Sequence, residues 1–190
     1  MSIPLIDTIK GMIITPVQTL QHQEESTVQD TLLYYLEIIL AFSLLCTVVA
    51  GLLTSVGVTT AVDLQAPASL LIYPVMLFVG MIIALVIMVL VFHGCARIVG
   101  GDGALEDTLR AFVLSSTPVA VIGWLPIVGS IIADLWSLVL MVVGIREYHH
   151  LSTARAAIAV LLPVIVLIIL AALAISYLTI SSVTVMPGIN

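Results

Sequence analysis

The sequence predicts an all-α integral membrane protein: a five-transmembrane-helix bundle with an N-terminal interfacial amphipathic helix. Three observations predict it. Of 190 residues, 62 % are hydrophobic and only 8 % charged, whereas a soluble domain is about half apolar and about a quarter charged. A soluble chain of this length must present a mostly hydrated surface, and this one lacks the charges to do so. The apolar residues gather into five runs near the ~20 residues that cross hydrocarbon. Finally, all five lysines and arginines fall on one side, in the N-terminal arm or flanking alternate loops. The size suits one unit, read as an amphipathic arm with an acidic linker over residues 1–30 and a membrane domain over 31–190.

Residues 3–20 form the amphipathic arm. Ile6, Ile9, Ile13 and Val17 recur at helical spacing, with Asp7, Lys10 and Gln18 between them. Gly11 and Pro16 weaken a single continuous helix. The segment either lies on the bilayer surface or packs on the end of the bundle. Pro4, Asp7, Lys10 and Pro16 also interrupt the start too often for a cleavable signal. Residues 21–30 read as a surface linker, with Ser26 or Thr27 able to cap the next helix.

The first span covers residues 32–54. Tyr34 and Tyr35 stand at its start, where aromatic rings favour the interface, and Glu37 lies one turn inside. A loop with Asp63 as its charge leads to the second span, residues 70–98. At 1.5 Å per residue that span is roughly 43 Å long, more than a ~30 Å hydrocarbon core, so it tilts or protrudes. His93 and Arg97, four apart, share a face at its end. Gly100-Gly101-Asp102-Gly103 is a flexible turn without the Gly-Lys-Ser/Thr ending of a phosphate loop.

The third span, residues 105–122, is short and the least apolar. Glu106 and Asp107 suit its first turn. Pro118 removes an intrahelical hydrogen bond, and Ser115, Ser116 and Thr117 can satisfy the freed carbonyls, so a kink is expected there. The tight turn Gly123-Trp124-Leu125-Pro126 leads into the fourth span, residues 127–145. The third and fourth spans thus form a hairpin with Arg97 and Arg110 before it and Arg146 and Arg155 after it. The fifth span covers residues 156–180, with Pro163 in its first half. Lys10 lies in the arm, Arg97 and Arg110 flank the second loop, and Arg146 and Arg155 flank the fourth. By the positive-inside rule that side is cytoplasmic, with the N-terminus inside and the C-terminus outside the cell membrane. His22, His93, His149 and His150 fall on the same side.

The pattern from the second loop onward resembles the Yip1 domain family of five-span membrane proteins. The residues that carry the likeness are Gly103-Ala104-Leu105-Glu106-Asp107-Thr108-Leu109-Arg110, Ser115-Ser116-Thr117-Pro118 and Leu125-Pro126-Ile127-Val128-Gly129. They continue with Trp136, Gly144-Ile145 and His150-Leu151-Ser152-Thr153-Ala154-Arg155-Ala156, and Gly11-Met12-Ile13-Ile14-Thr15-Pro16 resembles the family's amphipathic entry. The resemblance implies the five-span, N-inside topology. Eukaryotic members are implicated in binding prenylated Rab GTPases and in early secretory traffic, through a longer cytosolic region with an Asp-Leu-Tyr-Gly-Pro motif. That motif is absent here, so the chain resembles the compact prokaryotic versions and the GTPase role is not carried over.

Asp134 is the sharpest single residue. An ionisable group in the middle of an apolar span is costly and marks function. It is expected to carry a proton or a cation with Ser115, Ser116 or Thr117 beside the Pro118 break. The bland alternative is a shallow hairpin with Asp134 hydrogen-bonded near the outer interface. His93, Cys95, His149 and His150 do not make a zinc site: His93 and Cys95 are about 200° apart around a helix, and zinc needs three or four converging ligands. Interfacial histidines in water are the simpler reading. Cys46 and Cys95, both in apolar runs, read as buried thiols rather than a disulfide. There is no nucleophile elbow and no His-Glu-x-x-His. Gly80, Gly94, Gly123, Gly129 and Gly144 suit close helix packing.

The net charge of −6 argues against nucleic acid, which needs a basic patch, and against polybasic attachment to anionic lipid. Neither cofactor, metal nor catalytic activity is expected. The expected function is a non-enzymatic membrane adaptor or membrane-organising protein. It would act through lipid, through a membrane or cytoplasmic protein, or through a second copy of itself, with His93, Arg97, Arg110, Arg146, His150 and Arg155 as its cytoplasmic-face contacts. The alternative is a component of a small-solute or ion transporter or channel using Asp134.

Overall fold

The computed structural model describes residues 3–58 and 66–184, and all regular structure among them is helical. Eight helices follow in order: α1 Leu5–Ile14, α2 Pro16–His22, α3 Val28–Ser55, α4 Pro67–Ile98, α5 Leu105–Ser115, α6 Thr117–Ile122, α7 Val128–Tyr148 and α8 Thr153–Thr184. Four of them, α3, α4, α7 and α8, are long and apolar enough to cross a membrane. The loop carrying Asp63 and the last residues of the chain lie outside the described residues.

The third span expected from the sequence is a broken pair, α5 and α6, and neither piece alone has crossing length. The break falls at Ser116, as Pro118 requires. Pro118 has no N–H for the carbonyl of Leu114, and the Thr117 hydroxyl donates to that carbonyl instead, at 2.7 Å. Ser115 and Ser116 both donate to the Phe112 carbonyl, at 3.0 and 2.8 Å. The low hydrophobicity of this segment has a structural cause. Helix α5 packs against α3, α4 and α7 and buries Thr108, Ala111, Val113, Leu114 and Ser115. It is enclosed by protein and does not need a lipid-compatible surface.

Around it, α3 pairs with α4, α4 with α8 and α8 with α7. At the α5–α7 crossing a Cβ on Gly144 would stand 3.0 Å from that of Ala111, so the backbones approach closely, as small residues permit. Gly80 and Gly94, by contrast, face open space; the close packing expected of them is not there. The α6–α7 turn contains a second special conformation. Ile127 has φ 63° and ψ −72°, and the Val128 N–H donates to the Pro126 carbonyl at 2.8 Å. This is a γ-turn of the strained kind on a β-branched residue.

Two expectations change. The arm is two helices, not one, because Pro16 starts α2 where α1 ends. The pair folds as a hairpin on α6 and α7 and buries Thr8, Met12 and Leu20, while Ile6, Ile13, Ile14 and Val17 stay exposed. Tyr34 and Tyr35 are not interfacial: both point into the bundle, 1 % and 2 % exposed. The Tyr35 hydroxyl donates to the Met81 carbonyl. Because Thr117 gives its one proton to Leu114, Tyr34 is the donor in its 2.8 Å bond to Thr117. The cap of α3 matches expectation: the Asp30 N–H donates to the Thr27 hydroxyl at 3.1 Å.

Candidate functional site

Two polar places stand out in this apolar molecule. The first is where the α4–α5 and α7–α8 loops meet. The carbonyl of His149 accepts from the Asp102 N–H, and the His150 Nδ1 lies 3.1 Å from a carboxylate oxygen of Asp102. That bond draws the Asp102 carboxyl below the usual range. Beneath this surface pair lies a buried one. Thr108 Oγ1 is 2.8 Å from Nε2 of His149 and 2.9 Å from Nδ1 of His93. A hydroxyl has one proton to give, so one imidazole accepts from Thr108 and the other donates to it.

His149 is 1 % exposed, which corrects its reading as an interfacial histidine in water. Burial lowers its proton affinity, and neighbouring His93 lowers it further, so the neutral ring is the folded form. Its Nδ1 finds no partner among the described residues. The two flanking glycines explain how the ring fits. A Cβ on Gly101 would stand 3.0 Å from that nitrogen, and one on Gly103 only 2.5 Å from the Tyr148 carbonyl oxygen.

Half of the expected cytoplasmic-face residues, His93, Arg110 and Arg146, are occupied with holding this end together. Arg110 bonds Asp107 at 2.7 Å and the Ser26 carbonyl at 2.9 Å, with its side chain 12 % exposed. Asp107 in turn accepts from the Ala104 N–H. Arg146 pairs with Glu147, which also accepts from Gln21 on α2. The Tyr148 hydroxyl donates to the Leu20 carbonyl at 2.7 Å. His93 faces inward. Arg97, Arg155 and His150 remain exposed, with Arg97 reaching the Gly101 carbonyl.

The second place is a cavity of about 310 Å³ among α4, α5, α7 and α8, lined by Ser115, Ser116, Asp134, Ser137, Phe92 and Phe112 with neighbouring apolar residues. Ser115 and Ser116 do share a cavity with Asp134. Thr117 and Pro118 do not line it; Thr117 faces Tyr34 instead. No hydrogen bond joins Asp134 to either serine among the described residues, since both hydroxyls are spent on the Phe112 carbonyl. Sequence reasoning missed Ser137, one turn from Asp134 on the same face. Its hydroxyl is buried and without a partner among the described residues.

Among the described residues no three histidine, cysteine or acidic side chains gather as a metal set. No curated protein and no solved structure matches the chain. The Yip1 domain model matches residues 10–175, which runs from the arm through most of α8. The chain therefore belongs to the Yip1 domain family.

Proposed function

We propose that this protein is a non-enzymatic membrane adaptor or membrane-organising protein that crosses the cell membrane five times, with its N-terminus in the cytoplasm and its C-terminus outside. The connectivity supports the count. The chain leaves the loop end through α5 and α6 and returns to it through α7. Helix α7 is 21 residues long, about 31 Å, and the 105–122 segment rises about 27 Å. The broken pair thus carries the chain about as far as a spanning helix carries it back.

The single observation behind the adaptor reading is the loop end itself. Its polar groups tie α1–α2 and both loops into one fixed face, on which Arg97, His150 and Arg155 stay exposed. A fixed, charged face on an otherwise apolar body suits docking. Crosslinking in cells followed by purification of the full chain should recover a defined protein or lipid, and Arg97→Glu with Arg155→Glu should abolish that recovery. Recovery unchanged by both reversals would contradict it. The Asp134 cavity favours a second reading, a small-solute or ion transporter or channel component. Flux into proteoliposomes that is lost in Asp134→Asn would establish it in place of the first.

A further inference from the structure

We infer that the cavity at Asp134 binds an organic ammonium group carried by an amphipathic molecule. The inference stands apart from the docking face and does not depend on it. It begins with an unmet charge. The five lysines and arginines sit at positions 10, 97, 110, 146 and 155, so the run that contains Asp134 offers it no cation. Its carboxylate makes no ion pair among the described residues. A carboxylate lodged among apolar side chains needs a proton or an external positive charge.

The lining discriminates between cations. A hard metal ion asks for six or more oxygen ligands. Here the lining side chains offer five, the two Asp134 carboxylate oxygens and the hydroxyls of Ser115, Ser116 and Ser137, with the Phe112 carbonyl already accepting from two of those serines, and the rest of the wall is Phe, Met, Leu and Val. Phe92 and Phe112 lie side by side with ring centroids 6.2 Å apart. Aromatic faces with one carboxylate recognise alkylammonium groups. The buried, unpartnered Ser137 hydroxyl supplies an acceptor for an N–H or a donor for a neighbouring oxygen. The approach is set by exposure. Asp134 is the exposed member of the lining, and Ile131, Ile132 and Leu135 around it are exposed too. The mouth therefore opens on apolar surface, and the ligand must be at home in lipid.

The test uses the full chain in phosphatidylglycerol nanodiscs, with the thermal midpoint and the infrared carboxyl band as readouts. Dodecylammonium should raise the midpoint by several degrees and keep Asp134 ionised, while dodecanol and dodecyl sulfate should not. Asp134→Asn should lose the effect, and Ser137→Ala should weaken binding about fivefold, the worth of one hydrogen bond. Replacing part of the phosphatidylglycerol with phosphatidylethanolamine separates the sources. Protection by that lipid identifies a headgroup; protection by dodecylammonium alone identifies a free amphipathic amine. The inference is overturned if sodium or potassium chloride stabilises as strongly, or if neither ammonium source shifts the midpoint. An equal shift in Asp134→Asn overturns it too. If Asp134→Asn does not fold, Asp134→Glu with Phe112→Leu carries the test: unchanged binding in that pair is equally fatal.

Discussion

The two ends of the bundle are built by different means. At the loop end, side chains from α2, α4, α5 and α7 bond to one another and to backbone: His93 and His149 to Thr108, Arg110 to Ser26, Tyr148 to Leu20. Along the later part of α8, by contrast, Ile165 to Ile180 are exposed on every side. Lipid tails are as apolar as leucine, so burial does not drive helices together inside hydrocarbon. Close backbone contact and polar bonds must set the arrangement, and here they are concentrated at one end.

That contrast can be broken from the loop end. Gly103→Val places a side chain on the Tyr148 carbonyl and the His149 ring, and should cost about 4 kcal/mol or more, seen as loss of folded protein after extraction. Thr108→Val leaves two imidazoles without their shared partner and should cost about 2 kcal/mol in reversible unfolding in bicelles. Tyr148→Phe removes one buried bond between arm and bundle and should cost about 1 kcal/mol.

Acid should act on the same place. Burial, and after it the neighbouring His93, hold the proton affinity of His149 below the ordinary imidazole value of about 6.5. Its contribution to stability is therefore complete above that value and is lost as the pH falls below it, because the unfolded chain then binds the extra proton. The thermal midpoint should drop on acidification through about pH 6, and His149→Gln should flatten that drop. At the other end, Leu173→Ala on α8 should change stability by no more than about 0.5 kcal/mol. A large cost there would mean that α8 has a partner of its own.

Much of the fold was legible in the sequence. The helix positions followed from apolar runs and breakers: Pro118 with three preceding hydroxyls marked the break at Ser116, and the Ser26-Thr27 pair marked the start of α3, where Thr27 is the cap. What periodicity could not supply was direction. Lipid-facing and core-facing positions are both apolar here, so Tyr34 and Tyr35 read as interfacial although they point inward. The third span read as short and the least apolar, and its low hydrophobicity reflects enclosure of α5 by three other helices. The His93–Thr108–His149 cluster joins three distant stretches, and nothing local in any of them specifies the others. One signal was present: Gly101 and Gly103 bracket Asp102 in a loop, a spacing that suits close approach by something bulky, here the His149 ring. At the cavity, Asp134 was conspicuous as a charge in an apolar run, whereas Ser137 resembled any other helix serine.

The whole account rests on an odd number of crossings with the polar loop end in the cytoplasm. The most direct measurement is compartment-specific tagging of both termini in intact cells, by reporters active on one side of the membrane only. The account predicts the N-terminal tag inside and the C-terminal tag outside. Both tags in one compartment would contradict it.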